Sequence, residues 1–206
     1  MKRCPPPTRW LALLVLPLLF TWAQATTVIA PSFDRLVDGS DYIVRGTVKS
    51  IASEWRDNPA KPGSRYIGSR VELDVSEVIK GSPPAPLVLE VVGGKVGDEE
   101  LTVDGAPRFV VGQETVLFVK GNGRLIVPLV GMMHGKYDVR KNKKTGRAEI
   151  LRSDGQPLFH EQEVVLPTAS AKASALNQTK ALPLSPDEFA TRIRKNLSSR
   201  NRETLE

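Results

Sequence analysis

With a single cysteine in 206 residues, the chain cannot form an intramolecular disulfide. That cysteine, Cys4, falls in an amino-terminal stretch with the marks of an export signal. Lys2, Arg3 and Arg9 supply a positive start, Trp10 to Trp22 an apolar run, and Ala23-Gln24-Ala25 a small-residue cleavage motif. Cleavage after Ala25 is expected to release a chain with no thiol to act as metal ligand or nucleophile, into the periplasm or the medium. A membrane anchor is the rival reading, but the 13 residues from Trp10 to Trp22 are interrupted by Pro17 and fall short of the ~20 needed to span a bilayer. No later run is long enough to cross.

Histidine is nearly as scarce, with only His134 and His160. Zinc favours nitrogen and sulfur ligands, so a catalytic zinc here would need both histidines and a carboxylate such as Glu161. A partly buried structural role suits His134 better, in Gly131-Met132-Met133-His134-Gly135. The acidic run Asp98-Glu99-Glu100 with Asp104 lacks the spaced pattern of a calcium loop and reads as a solvated loop. No G-x-S-x-G nucleophile motif is present. Gly93-Gly94-Lys95-Val96-Gly97 lacks phosphate-loop spacing and reads as a turn between strands. These absences predict a protein that is not an enzyme and needs no metal or cofactor.

The net charge of +6 is unevenly spread. Residues 26–166 hold 19 basic and 19 acidic side chains, and the excess lies beyond them. A neutral body with few aromatics excludes the basic, aromatic-studded face of a nucleic-acid binder.

What is present is β periodicity. Ser32 can cap a short helix over residues 33–38, with Phe33, Leu36 and Val37 on one face. From Tyr42 the period becomes two: Val44, Gly46 and Val48 fall on one side. Val71, Leu73 and Val75 repeat the pattern until Val78-Ile79 shift its phase, which predicts a bulge. Leu87 to Val92, a short stretch at Leu101 to Val103, Thr115 to Val119, Arg124 to Pro128, Lys136 to Arg140 and Ala148 to Arg152 read as further strands. Gly121-Asn122-Gly123 is expected to join a hairpin. Residues 55–66, with Pro59, Pro62 and Gly63, read as a polar loop. The pattern predicts a mainly all-β, antiparallel body over residues 26–166, sandwich or barrel. Residues 167–184 read as a flexible linker. Residues 185–206 read as a carboxy-terminal amphipathic helix and tail, opened by Ser185-Pro186-Asp187-Glu188 and striped by Phe189, Ile193 and Leu197. That helix either packs on the body or docks to a partner.

Three segments carry a family resemblance. Phe33 to Ser50 resembles the first strand and lead-in of the netrin-like, OB-type domain of tissue inhibitors of metalloproteinases. Arg70 to Gly81 is similar to that family's second strand, which also ends in Lys-Gly. Val111 to Val119, the glycine-rich turn and Arg124 to Leu129 are similar to a later strand pair. The chain also resembles uncharacterised exported bacterial proteins with the same strand motifs. The resemblance implies a netrin-like, OB-like β-barrel and a protein partner, a secreted metalloprotease among the candidates. Those inhibitors place an N-terminal cysteine on the protease zinc, whereas this chain offers Thr26-Thr27-Val28, so that chemistry does not carry over intact.

The sequence therefore predicts an exported, non-catalytic module that binds a protein partner through loops at one end. Thr26 and Thr27 at the mature terminus, Trp55 and Tyr66 bounding the first loop, and Lys95 in the second are the expected contact residues. The alternative is an envelope-associated structural or carbohydrate-binding domain, with Trp55, Tyr42, Tyr66 and Tyr137 as the stacking candidates.

Overall fold

The computed structural model describes residues 30–58, 61–165 and 182–203. The expected export signal, Thr26 and Thr27, and residues 167–181 of the expected linker lie outside the described residues. No helix among the described residues is long and apolar enough to cross a membrane.

Helix α1 (Phe33–Gly39) starts where the sequence predicts, with the Ser32 hydroxyl accepting the Arg35 N–H at 3.3 Å. Its far end is closed by side chains. The Ser40 hydroxyl donates to the Leu36 carbonyl at 2.6 Å. Lys80 Nζ donates to the carbonyls of Val37, Asp38 and Ser40 at 2.7, 3.2 and 2.7 Å. One ammonium thus satisfies carbonyls that the helix leaves without partners, at the negative end of its dipole. Gly81 follows at φ +73°, and a Cβ there would lie 2.3 Å from the Asp41 carbonyl, so the turn after Lys80 requires glycine.

The strands are β1 (Tyr42–Asp57), β2 (Arg65–Lys80), β3 (Leu87–Val92), β4 (Gly94–Val96), β5 (Glu99–Leu101), β6 (Glu114–Val119), β7 (Lys136–Lys141) and β8 (Ala148–Leu151). All pairings are antiparallel: β3-β2-β1-β6-β7-β8 form one sheet, and β4-β5 a separate ribbon. The predicted phase shift is present, since Ile43 pairs with Lys80 and Val44 with Val78, leaving Ile79 as the extra residue. Two more irregularities, at Arg45/Gly46 and Val48/Ser50, add to the twist of the long β1–β2 hairpin.

Several expectations are corrected. Gly93 to Gly97 is not only a turn, Asp98-Glu99-Glu100 not only a loop, and the short strand is not at Leu101 to Val103, because Gly94–Val96 and Glu99–Leu101 pair as β4 and β5. Residues 55–66 are not one loop, because β1 extends to Asp57 and β2 begins at Arg65. Residues 124–128 are not a strand. Gly121 instead accepts the N–H groups of Arg124 and Leu125, so the chain coils before it reaches the sheet. Nor does the sheet close as a barrel: β3 and β8 are its two edges, and each is covered by other chain segments. On β8, the Ile150 N–H donates to the Leu184 carbonyl at 2.8 Å, and the Leu158 N–H to the Ile150 carbonyl at 2.9 Å. On β3, the Asn122 side chain bonds the backbone of Val88 and Glu90, and the Val92 N–H donates to the Ile126 carbonyl. Covered edges remove the drive for β3 and β8 to find each other.

Both faces of the sheet are buried. On one, Ile43, Val116, Phe118 and Tyr137 meet α1 and the carboxy-terminal helix α2 (Pro186–Glu203). On the other, Val44, Leu73, Leu89, Leu117 and Val119 pack inside the curl of the hairpin. Helix α2 therefore packs on the body. Its Phe189, fully buried, sits with ring centroids 5.1 Å from Tyr137 and 6.0 Å from both Phe118 and Phe33. The predicted capping box is formed: the Glu188 N–H donates to Ser185 Oγ at 3.2 Å, and Glu188 Oε2 accepts the Ser185 N–H at 2.8 Å.

Two outcomes follow. Lys80→Met leaves the α1 carbonyls without their donor and is expected to cost about 1–3 kcal/mol, read as a lower urea midpoint at unchanged slope. Glu188 is held below the usual carboxylate range, first by the Ser185 backbone N–H and then by the Ser185 hydroxyl and Arg147, against burial. A folded pKa below the unfolded one means the carboxylate stabilises fully above pH ~4.3 and loses that effect as pH falls through the folded value. The stability gap between wild type and Glu188→Gln should therefore be widest near neutral pH and close on acidification, as measured by thermal unfolding across pH.

Candidate functional site

A groove of about 450 Å³ lies on the inner face of β1–β3, under the β4–β5 ribbon and the segment 106–110. Alternation places Ile51, Val71 and Val91 on its floor, with Ser53 and Ser69 side by side among them. The Ser69 hydroxyl donates to the Gly93 carbonyl at 2.6 Å, so Ser53 is the donor across the 2.9 Å Ser53–Ser69 contact. Gly94 crosses above this pair at φ +133°. A Cβ there would lie 2.3 Å from Ser69 Oγ and 2.4 Å from Ser53 Oγ. Backbone thus seats on hydroxyls, and glycine at position 94 lets the ribbon approach that closely.

Phe109 and Val110 form the opposite wall. Lys136 Nζ stands 5.6 Å from the Phe109 ring centroid and 2.5 Å from Asp138 Oδ1, tying the segment to β7. Gln113 Nε2 donates to the Val139 carbonyl at 2.7 Å, which fixes the chain just beyond. Val110 and Val111 nevertheless remain 64 % and 58 % exposed. Lys95 and Arg108 both line the groove and make no ion pair among the described residues. Glu100, directly opposite Lys95 in the ribbon, is the one carboxylate lining it.

The expected contact residues are distributed as follows. Lys95 belongs to the groove. Trp55 points to the same face of β1 as Ile51 and Ser53, with the Arg65 guanidinium 5.7 Å from its ring centroid. Tyr66 pairs with Arg56, the next position along, and so lies on the other face of the hairpin. It lines a second cavity of about 380 Å³ with Arg56, Glu90, Leu125 and Ile126, the last of these 68 % exposed. Trp55 and Tyr66 therefore bound no common surface. Arg108, Phe109, Val110, Ser53 and Ser69 were not anticipated. Two adjacent valines after Pro107 with no alternating partners were the available signal, and the serines were masked by the strand pattern around them.

A cavity of about 730 Å³ lies between the short 3₁₀ segment Glu161–Val165 and α2. Burial would raise the Glu161 carboxyl, but its own backbone N–H, the Arg192 guanidinium and His160 hold it below the ordinary range. Glu161 is ion-paired to Arg192 and lies 3.5 Å from His160 Nε2. This trio fastens the 3₁₀ segment to α2. His134 sits on a separate 3₁₀ segment, Met132–Gly135. Among the described residues, no three His, Cys, Asp or Glu side chains converge to hold a metal ion. No protein-family model matches the chain, and no curated protein does either.

The ribbon's seat gives a direct test. Gly94→Ala forces a side chain into a glycine-only conformation against two hydroxyls, at a cost of about 1–3 kcal/mol. Amide exchange over residues 94–101 should accelerate while exchange in β6 and β7 stays unchanged.

Proposed function

We propose that this protein is an exported, non-catalytic module that binds a protein partner at the groove between the β4–β5 ribbon and the segment 106–110. The observation that carries this reading is the solvent-facing Val110-Val111 pair beside an apolar groove floor, with Lys95 and Arg108 unpaired at the rim. Exposed apolar side chains next to a concave apolar surface mark places where a second molecule displaces water. Unpaired cations favour a partner that brings carboxylates.

An OB-like architecture with an incomplete barrel accords with this reading. The gap between β3 and β6 is spanned by residues 120–130, with the Val92 N–H on the Ile126 carbonyl at one side, and the Lys120 N–H on the Pro128 carbonyl with the Val130 N–H on the Phe118 carbonyl at the other. The likeness to inhibitors of metalloproteinases makes a co-secreted protease the first partner to try, on fold analogy alone. A sugar-binding surface has less support: Tyr42 and Tyr137 are buried, and Trp55 and Tyr66 face opposite ways.

The exported chain, purified from its host and used as crosslinking bait, should retain a specific co-secreted protein. Arg108→Glu combined with Val110→Asp should weaken that complex by about tenfold or more without moving the thermal midpoint. If wild type captures nothing and leaves every co-secreted protease at full activity, the reading fails.

A further inference from the structure

β1 has sixteen residues, yet only part of its outer side is occupied. β6 pairs with Tyr42 to Thr47. The Val48 N–H then donates to the Gln113 carbonyl at 3.0 Å, and its carbonyl accepts the Gly112 N–H at 2.8 Å. No partner strand continues beyond this point among the described residues. The Asn58 N–H bonds the Ser64 carbonyl, so even-numbered residues in this half of β1 turn their backbone groups towards β2. Ile51, Ser53, Trp55 and Asp57 turn theirs outward, and no backbone partner meets them among the described residues. A protein edge of this length is ordinarily blunted by proline, a bulge or a covering segment. Here the bulge at Val48/Ser50 precedes the open stretch, and the covering segment ends beside it at the exposed Val110-Val111.

Resting on the partner-binding reading, we propose that this edge accepts one extended segment of the partner protein, added antiparallel to β1 between Ile51 and Asp57. The seven residues from Ile51 to Asp57 cover about 20 Å, enough for a guest strand of similar length. In an antiparallel pairing, the guest residues opposite Ile51, Ser53 and Trp55 share their face, so their side chains enter the groove. The Ile51, Val71 and Phe109 lining calls for apolar groups at those alternate positions. Lys95 and Arg108 call for carboxylates at the guest's ends, since together they outweigh Glu100. Backbone pairing supplies affinity and the groove supplies selection.

The probe is a fluorescein-labelled nonapeptide alternating valine and threonine between terminal aspartates, titrated against the full exported chain by anisotropy. Saturable binding is expected, with slower amide exchange at Ile51, Ser53 and Trp55. N-methylation of the valine amides, which face β1 when valines occupy the groove, should weaken binding by about tenfold or more, and N-methylation of the threonine amides should leave it nearly unchanged. Ser53→Pro removes one outward donor at an edge position that tolerates proline, and should match the valine-methylated loss. Ser53→Ala loses the same hydroxyl but keeps the backbone donor, so Ser53→Pro should bind several-fold more weakly than Ser53→Ala. Equal effects of the two methylation patterns, an unaffected Ser53→Pro, absence of saturable binding, or an edge occupied by a second copy in sedimentation would each overturn the proposal. A Ser53→Pro chain that still holds the partner captured by wild type removes the strand-edge proposal alone; a wild type that captures no partner removes the reading beneath it.

Discussion

The fold depends on covering a sheet that is apolar on both sides. Ile43, Val116 and Phe118 face one way, and Val44, Leu117 and Val119 the other, so β6 is buried along almost its entire length. Neither face can be left to water, since each large side chain there contributes roughly 1.5–3 kcal/mol through burial. Phe189 closes the helix side against Phe118, Tyr137 and Phe33. The curl of β1–β2–β3 closes the other. Without a seated α2, the aromatic cluster would face solvent and α1 would lose its neighbour.

Charge then sets the helix in its place more than it holds it there. Asp187 meets Arg45 at 2.7 Å, Glu188 meets Arg147 at 2.6 Å, Arg194 meets Glu77 at 2.5 Å, and Arg200 meets Asp38 at 2.9 Å. Most of these pairs are partly exposed and individually worth little. Spread along nearly four turns, however, they match one rotation and one position of the helix on the body. The basic excess beyond residue 166 thus has a local use, because Arg192, Arg194 and Arg200 all point to acidic groups of the body. Lys95 and Arg108, by contrast, stand at a groove without an ion pair among the described residues.

The groove follows from the way the hairpin outruns its neighbours. β1 and β2 are sixteen residues each, whereas β3 and β6 have six; β3 flanks the distal half of the hairpin at Gly68 to Leu73, but β6 flanks only its base at Tyr42 to Thr47, so β1 runs on past β6. The β4–β5 ribbon folds back over this projection and is held by Gly94 on the Ser53–Ser69 pair. A rigid floor with loosely covered walls is the geometry in which recognition is commonly placed.

Local signals in the chain were sufficient for α1 with its Ser32 cap, the bulge at Ile79, the strand phases of β1, β2, β3, β6, β7 and β8, and the capping box at Ser185 and Glu188. Each is written in residues a few positions apart, and short-range sterics and hydrogen bonding decide it. Lys95 was legible as a candidate for the same reason, standing among glycines that must turn. The groove was not, because Ser53, Ser69, Gly94 and Phe109 meet only when the hairpin coils and the ribbon folds back. Tyr66 and Trp55 seemed neighbours in a loop, until strand pairing carried β1 to Asp57 and put them on opposite faces. Closure was also beyond local reading: whether β3 and β8 join depends on which segments cover their edges, and those covers come from residues 122–126, 158 and 184. Sequence alone determined the two helices and the middles of the six sheet strands, though not the ribbon at Gly94–Val96 and Glu99–Leu101 or the coil at residues 124–128. Only the tertiary structure decided which backbone edge would be left open, because an edge is free or filled according to partners far away in the chain.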